Sequence, residues 1–344
     1  MSARMNIVYF GSGAFGLPTL ERLAAQHVVR AIVTQPDRPA GRGGKLAATP
    51  VAQWAAAHAP GVPVFKPEKV NTPEVVDQIR ALPSDAWVVI AFGQKLSQRL
   101  LADRFAINLH ASLLPRWRGA APITAAILAG DSVTGNSVIT LADRMDAGMV
   151  LAQTCPPIEI APTITAGELH DVLAADGPRL IEAVLAQYRS ASLNPQRQDE
   201  SLVTIAEKLS REDDAFDAHK PAEVLRREIH ALNPWPGVSV TFVPEGSGSA
   251  AGGPIAAPLA AKLLRVRVVE PVPSDLAGAT SNPQAGTLVD PQAGVVECGR
   301  GRLGILELQP SGRKPMKWED FRRGLGRELS NAARVVSTRE LAGE

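Results

Sequence analysis

Cysteine is nearly absent from this chain: Cys155 and Cys298 are the two among 344 residues, far apart and without a CxxC pair. A disulfide framework is thereby excluded, and a reducing compartment, the cytoplasm, is expected. The histidines form no cluster at metal-ligand spacing, so no metal is expected. Aromatic residues make up 4% while 45% of residues are hydrophobic, which leaves the core to Ala, Leu, Val and Ile. Net charge is also lacking: 36 Lys and Arg against 35 Asp and Glu give +1, too little for a global attraction to a polyanion. A nucleic-acid partner would have to be held by local basic patches. No apolar run approaches the ~18 residues needed to span a bilayer. Residues 1–10 head into a strand without a charged leader and apolar stretch, so neither secretion nor membrane insertion is expected.

The chemistry concentrates in residues 108–123, NLHASLLPRWRGAAPI. Residues 104–109 are apolar and β-prone, so Asn108 and His110, two apart on an extended chain, project from one face. A carboxamide N–H can stabilise a developing oxyanion, and an imidazole can carry a proton to or from an attacking nitrogen. Neither act needs a metal. Pro115, Arg116, Arg118 and Gly119 follow in a loop, before residues 120–129 resume at helical spacing with Pro122 near the start. This arrangement is expected to leave the two arginines beside the mouth of a pocket.

Around this segment, residues 5–190 alternate strands (6–10, 28–34, 62–65, 86–92, 133–143, 149–156) with helices (15–26, 49–58, 72–81, 166–187). That alternation predicts an α/β fold, a Rossmann-like, doubly wound and mostly parallel sheet with its ligand beyond the carboxyl ends of the strands. Leu169, Val172, Leu173, Leu180, Ile181, Val184 and Leu185 form the expected buried stripe of the last helix. Residues 191–217 turn polar and suit a linker, and 221–232 read as a short helix. Five β-rich runs follow at 238–243, 263–269, 286–289, 295–298 and 303–308, separated by Gly and Pro, which suggests a small barrel over 218–344. The low-complexity stretch 246–261 reads as a loop between two of them.

One motif points elsewhere. Gly11, Gly13 and Gly16 spell GxGxxG after the first strand, with Asp37 about twenty residues beyond, the pattern of a dinucleotide-binding turn. Asp37, however, lies inside QPDRPAGRGGKL rather than closing the second strand, and the match is read as coincidence.

The string HxSLLPxxxG, present as His110 to Gly119, resembles the signature of the folate-dependent formyltransferases. Its longer form SLLPRWRGAAPI, with QPDRPAGRGGKL at 35–46, ESLVTIAEKLS at 200–210 and NPWPG at 233–237, is similar to the members of that family that act on charged initiator tRNA. The resemblance covers nearly the full length. It implies that the formyl group of 10-formyltetrahydrofolate moves to the amino group of methionyl initiator tRNA, and that the barrel is an OB-like tRNA-binding domain. It further implies that Asn108 is the oxyanion donor, that His110 stabilises the tetrahedral intermediate and exchanges protons, and that Asp146, in ADRMDAGMVL, orients the imidazole or relays the proton through water. Ser112, Leu113, Leu114 and Pro115 would border the folate. Arg38, Arg42 and Lys45, on a loop too polar for a core, would meet the acceptor end of the tRNA, Arg42 most directly. The turn departs from the family in having Ser12-Gly13 where most relatives carry Thr-Pro.

A monomer is expected. A formyltransferase acting on a small amine, such as an amino sugar nucleotide, would share Asn108, His110 and Asp146 but has no use for the basic loop or the barrel. A nicotinamide dehydrogenase would use the glycine turn, and a non-catalytic RNA-binding module would not need His110.

Overall fold

Apolar runs in the first half of the chain fold into one sheet: β1 (Asn6–Gly11), β2 (Val28–Val33), β3 (Val64–Phe65), β4 (Ala86–Ile90), β5 (Ala106–His110), β6 (Ser137–Thr140) and β7 (Val150–Gln153). The computed structural model describes residues 4–40, 44–244, 257–269, 284–324, 329 and 333–342. Strand order is β7-β6-β5-β4-β1-β2-β3. The five strands from β3 to β5 are parallel, and β6 and β7 are antiparallel. This is the Rossmann-like arrangement, with the order reversing between β1 and β4.

The helices between strands are α1 (Leu17–Gln26), α2 (Pro50–His58), α3 (Pro73–Arg80), α4 (Pro122–Ala129) and α5 (Ala166–Arg189). Local chemistry sets their starts: Thr49 precedes Pro50, and its hydroxyl accepts the Ala52 N–H at 3.1 Å. Burial on both faces of the sheet makes β1 and β4 continuous apolar runs. Val8, Phe10, Trp87 and Val89 pack with Val76 and Ile79 of α3, whereas Leu109 points the other way, toward Gly177 of α5. Along α5 the predicted stripe is buried except for Val172, which is 43% exposed. At about 100° per residue it falls outside the arc that Leu169, Leu173, Leu180 and Val184 share. The predicted strand 133–143 is broken, because the buried Asn136 side chain leaves the strand pattern to bond Leu173 O and Asp176.

Contacts divide the chain into two units, Met1–Pro122 with Val133–Glu159 and His170–Ala206, and Ile123–Ser132 with Ile160–Leu169 and Glu207–Glu344. Residues 191–206, which the sequence suggests as linker, thus pack as part of the first unit.

The second unit holds α6 (Ala222–Ala231) and an antiparallel sheet of β8 (Val238–Val243), β9 (Leu259–Val269), β10 (Leu288–Asp290), β11 (Val295–Glu297), β12 (Arg302–Pro310), β13 (Met316–Lys317) and β14 (Arg334–Ser337), with a further helix α7 (Trp318–Arg323). The order β10-β11-β12-β9-β8-β14, with β13 on β12, carries two strands more than expected. It nearly closes into a barrel, since Val335 N–H donates to Gly286 O at 2.7 Å and Leu288 N–H to Ala333 O at 2.8 Å. Phe242, Trp318 and Phe321 pack mutually at its core. Of the low-complexity stretch, 259–261 belong to β9; residues 246–256 lie outside the described part. Among the described residues no helix is long and apolar enough to cross a membrane.

His230, fully buried on α6, receives the Val266 N–H on Nε2 at 3.2 Å and donates from Nδ1 to Pro162 O at 3.1 Å. Burial foremost, then the Arg226 charge, pushes its pKa down to about 4. Above about pH 6.5 the imidazole is neutral folded or unfolded; below it the unfolded chain takes up a proton that the folded one refuses, so stability falls with pH. The loss reaches about 2 kcal/mol at pH 5 and about 3 kcal/mol near pH 4. Urea unfolding at pH 7 and 5 measures it. A pH difference undiminished in His230→Gln relative to wild type rules this source out.

Candidate active site

β5 is a central strand, and its register places Asn108 beside Val89 of β4 and Ile139 of β6. Alternation turns Ile107 and Leu109 away and leaves Asn108 and His110 on one face at the carboxyl end of the sheet. The Asn108 carboxamide is half-buried and makes no hydrogen bond with the described residues. His110 is 6% exposed. Its Nε2 lies 2.8 Å from Trp117 O; a carbonyl only accepts, so Nε2 carries the proton and Nδ1 is the exchangeable nitrogen. Nδ1 faces Asp146 Oδ2 at 3.6 Å. That oxygen accepts the Gly119 N–H at 2.9 Å. His110 and Asp146 are therefore brought together from strand and loop, with Asn108 one pleat repeat below the imidazole.

Two residues of the site adopt left-handed backbone: Trp117 at φ 64° and Asp146 at φ 54°. Such conformations persist in non-glycine residues only where surrounding bonds hold them. Gly119, at φ 123°, could carry no side chain, since a Cβ would lie 2.4 Å from Ala206 O.

The SLLP turn is pinned from both ends. Ser112 Oγ donates to Arg116 O at 2.6 Å, so this hydroxyl closes the turn. Ser137 Oγ donates to Ser112 O at 2.7 Å and accepts the Leu114 N–H at 3.0 Å, while Gln153 Nε2 donates to Leu114 O at 2.8 Å. Ser112 and Leu114 are buried and Leu113 and Pro115 half-buried, which leaves the latter two side chains to meet solvent or a ligand.

Arg118 departs from expectation. It is 3% exposed rather than standing at a pocket mouth: its Nε donates to Gln198 Oε1 at 2.9 Å and its Nη2 to Glu200 Oε1 at 2.9 Å. Glu200 also binds Arg144, and these two guanidinium hydrogen bonds, Arg118 first, hold its carboxyl down at about 2. Arg116 stays exposed, over the Trp117 ring. Trp117 N–H donates to Thr204 Oγ1 at 2.9 Å, and Arg118–Gly119 pairs in parallel with Ile205–Ala206. Gln198, Glu200 and Thr204 were not singled out from the sequence. Glu200 and Thr204 lie in the string ESLVTIAEKLS, whose residue types by themselves name no chemistry, and Gln198 stands just before it without a signal of its own.

Of the basic loop, Arg38–Ala40 and Lys45–Ala47 form a short antiparallel hairpin rather than irregular chain. Arg38 is exposed and pairs with Glu68 at 2.6 Å; Lys45 is exposed. Arg42 lies outside the described residues.

The glycine turn has a packing explanation. A Cβ on Gly11 would come within 2.8 Å of Ile90 O, and one on Gly16 within 1.9 Å of Tyr9 Oη, which donates to Gly16 O. Ser12 Oγ donates to Phe92 O and accepts from Gln35 N–H, both at 3.0 Å, tying the ends of β1, β2 and β4 together. Asp37 lies beyond the end of β2 and pairs with Lys66 at 2.6 Å. Among the described residues no group of three His, Cys, Asp or Glu side chains could hold a metal ion.

A Rossmann-like sheet with an amide, an imidazole and a carboxylate at its carboxyl edge, followed by a β-barrel, is the architecture of a group transferase of one kind. The chain belongs to the formyl transferase family: residues 5–185 match the formyl transferase domain and residues 208–326 the formyl transferase C-terminal domain. It is 42% identical over 334 residues to the methionyl-tRNA formyltransferase of Thiobacillus denitrificans, covering 96% of this chain and 99% of that protein. The methionyl-tRNA formyltransferase of Methylococcus capsulatus is 40% identical over 321 residues, 92% and 96% respectively. Among solved structures, HypX from Aquifex aeolicus in complex with tetrahydrofolic acid superimposes with TM-score 0.60 at 12% identity, over 95% of this chain and 48% of that one. WlaRD, a sugar 3N-formyl transferase, gives 0.59 at 12%, over 91% and 100%. At such identities the last two speak for the fold alone.

Proposed function

We propose that this protein transfers the formyl group of 10-formyltetrahydrofolate to the α-amino group of methionyl initiator tRNA, supporting translation initiation. The reading is carried by the placement of His110 Nδ1 3.6 Å from Asp146 Oδ2, on the same sheet edge as an unengaged carboxamide, in a chain similar end to end to methionyl-tRNA formyltransferases.

In the reaction the amine nitrogen bonds the formyl carbon, the carbonyl oxygen becomes an oxyanion, and the bond from carbon to folate nitrogen then breaks. One proton leaves the amine and one arrives on the leaving nitrogen, so no net proton is consumed. Asn108 donates to the oxyanion. His110, its Nε2–H committed to Trp117 O, exchanges the proton through Nδ1, beside the Asp146 carboxylate. None of these steps requires a metal. The folate lies along the SLLP turn, against Leu113 and Pro115, with Ser112 and Leu114 shaping the turn from within. The protein acts as a cytoplasmic monomer, with a catalytic domain that continues through residue 206 and a tRNA-binding barrel over 218–344.

The test is direct: purified protein, labelled formyl folate and charged initiator tRNA, with the label followed into RNA. Label appearing instead on an amino sugar nucleotide, with none in the tRNA, selects the small-amine alternative. The basic loop read from the sequence has its own readout. Arg42→Ala is expected to weaken tRNA binding and make the slope of log K against log salt shallower by about one phosphate contact. A slope identical to wild type removes the loop from the tRNA interface.

A further inference from the structure

The segment 196–206 runs past the turn that carries Asp146 and pairs with the 118–119 turn on which that carboxylate is registered. Gln196 exchanges two backbone hydrogen bonds with Val150, each 2.8 Å. Two residues on, the Gln198 side chain is buried, and its amide nitrogen donates to Asp146 O at 2.7 Å and to Gly148 O at 2.8 Å. Its amide oxygen accepts from Arg118 Nε at 2.9 Å. Both N–H groups and one lone pair are used, and the amide can sit only one way round, because a flip would set oxygen against two carbonyls and nitrogen against a guanidinium.

These three bonds join the two sides of the Asp146 contact. Asp146 is the left-handed residue that bears the carboxylate, Gly148 follows two residues on, and Arg118 precedes Gly119, whose N–H that carboxylate accepts. We propose that Gln198 is a positioning residue for formyl transfer, holding Asp146 in its left-handed conformation so that the carboxylate stays registered on Gly119 and faces His110 Nδ1. The proposal rests on the reading of Asp146 and His110 given above. Gln198 touches neither substrate: it acts through Asp146. Without it, the Asp146 and Gly148 carbonyls and the Arg118 Nε lose their partner, and the turn is free to relax out of the αL region. Misplacement of a catalytic group by about 1 Å is enough to cost on the order of 100-fold in rate.

The test is a double-mutant cycle on the full-length protein. Gln198→Leu, similar in size and without hydrogen-bonding groups, is expected to lower kcat by about 10- to 100-fold, with KM for folate and for charged tRNA within about 2-fold of wild type. In an Asp146→Ala background the same substitution should change kcat by no more than about 2-fold, because the group it positions is gone. If Gln198→Leu melts below the assay temperature, Gln198→Glu, which keeps an acceptor for Arg118 while losing both donors, is put through the same cycle with the same expectation. Wild-type kcat in a folded variant, a rise in KM alone, or an equal loss in the presence and absence of Asp146 would each overturn the proposal. Wild-type protein that fails to formylate charged tRNA overturns the functional reading instead, so the two failures are distinguishable.

Discussion

Replacing His110 by alanine lowers turnover by ~10²–10⁴, the loss typical of a removed general acid/base, while folate binding persists. The second half of that expectation follows from how the site is held. The SLLP turn takes its fixed points from Ser137 and Gln153 on the neighbouring strands, none of them bonded to the imidazole. The 117–120 segment is tied independently to Thr204 and Ala206 through the Trp117, Arg118 and Ala120 N–H groups. Removing the imidazole leaves the Trp117 carbonyl without its donor, a local cost, but not a collapsed loop. Turnover and KM for both substrates, with equilibrium binding of the folate, separate the effects. Turnover within a few-fold of wild type would take His110 out of the mechanism; a lost folate site would show that the imidazole holds the turn rather than moving protons.

What the sequence made legible was local. The βα alternation, the strand ending in Asn108 and His110, the helix starts at Thr49 and Pro122 and the barrel's long strands are each written in a few consecutive residues whose period or turn chemistry has one economical solution. Less legible were features made by distant partners. Arg118 sits in a string that reads as a wet basic loop, and it is buried only because Gln198 and Glu200, about eighty positions on, meet all of its charge. The barrel closes through Arg334–Ser337, a four-residue strand with two apolar side chains, against Gly286 and Leu288. No periodicity in so short a run distinguishes it from loop. Gln198 is the limiting case, since its role depends on two carbonyls whose position the whole first unit sets. The pairing of His110 with Asp146 is implied by family resemblance alone, because an Asp before Ala-Gly reads equally well as a turn residue.

Asn108→Asp is the second substitution with a large expected effect, and its comparison with Asn108→Ala distinguishes chemistry from packing. The two side chains Asn and Asp are nearly equal in shape, so a residue that merely fills space between Val89 and Ile139 would tolerate aspartate better than alanine. An oxyanion donor obeys the opposite order. Alanine removes one N–H from the developing charge, a loss on the order of 10²–10³ in kcat. Aspartate removes the same donor and sets a carboxylate oxygen near the place where negative charge must accumulate, a like-charge repulsion that alanine does not add. The expected ranking of kcat is therefore wild type, then alanine, then aspartate at or below alanine, with KM for folate nearly constant because the SLLP turn is not bonded to Asn108. The carboxamide is half-buried and has no hydrogen-bond partner among the described residues, so neither change breaks an existing bond that would confuse the ranking. Steady-state rates at saturating folate and charged tRNA decide it: aspartate faster than alanine would mean that this edge of the sheet holds its amide for shape, and that the oxyanion is met by another group.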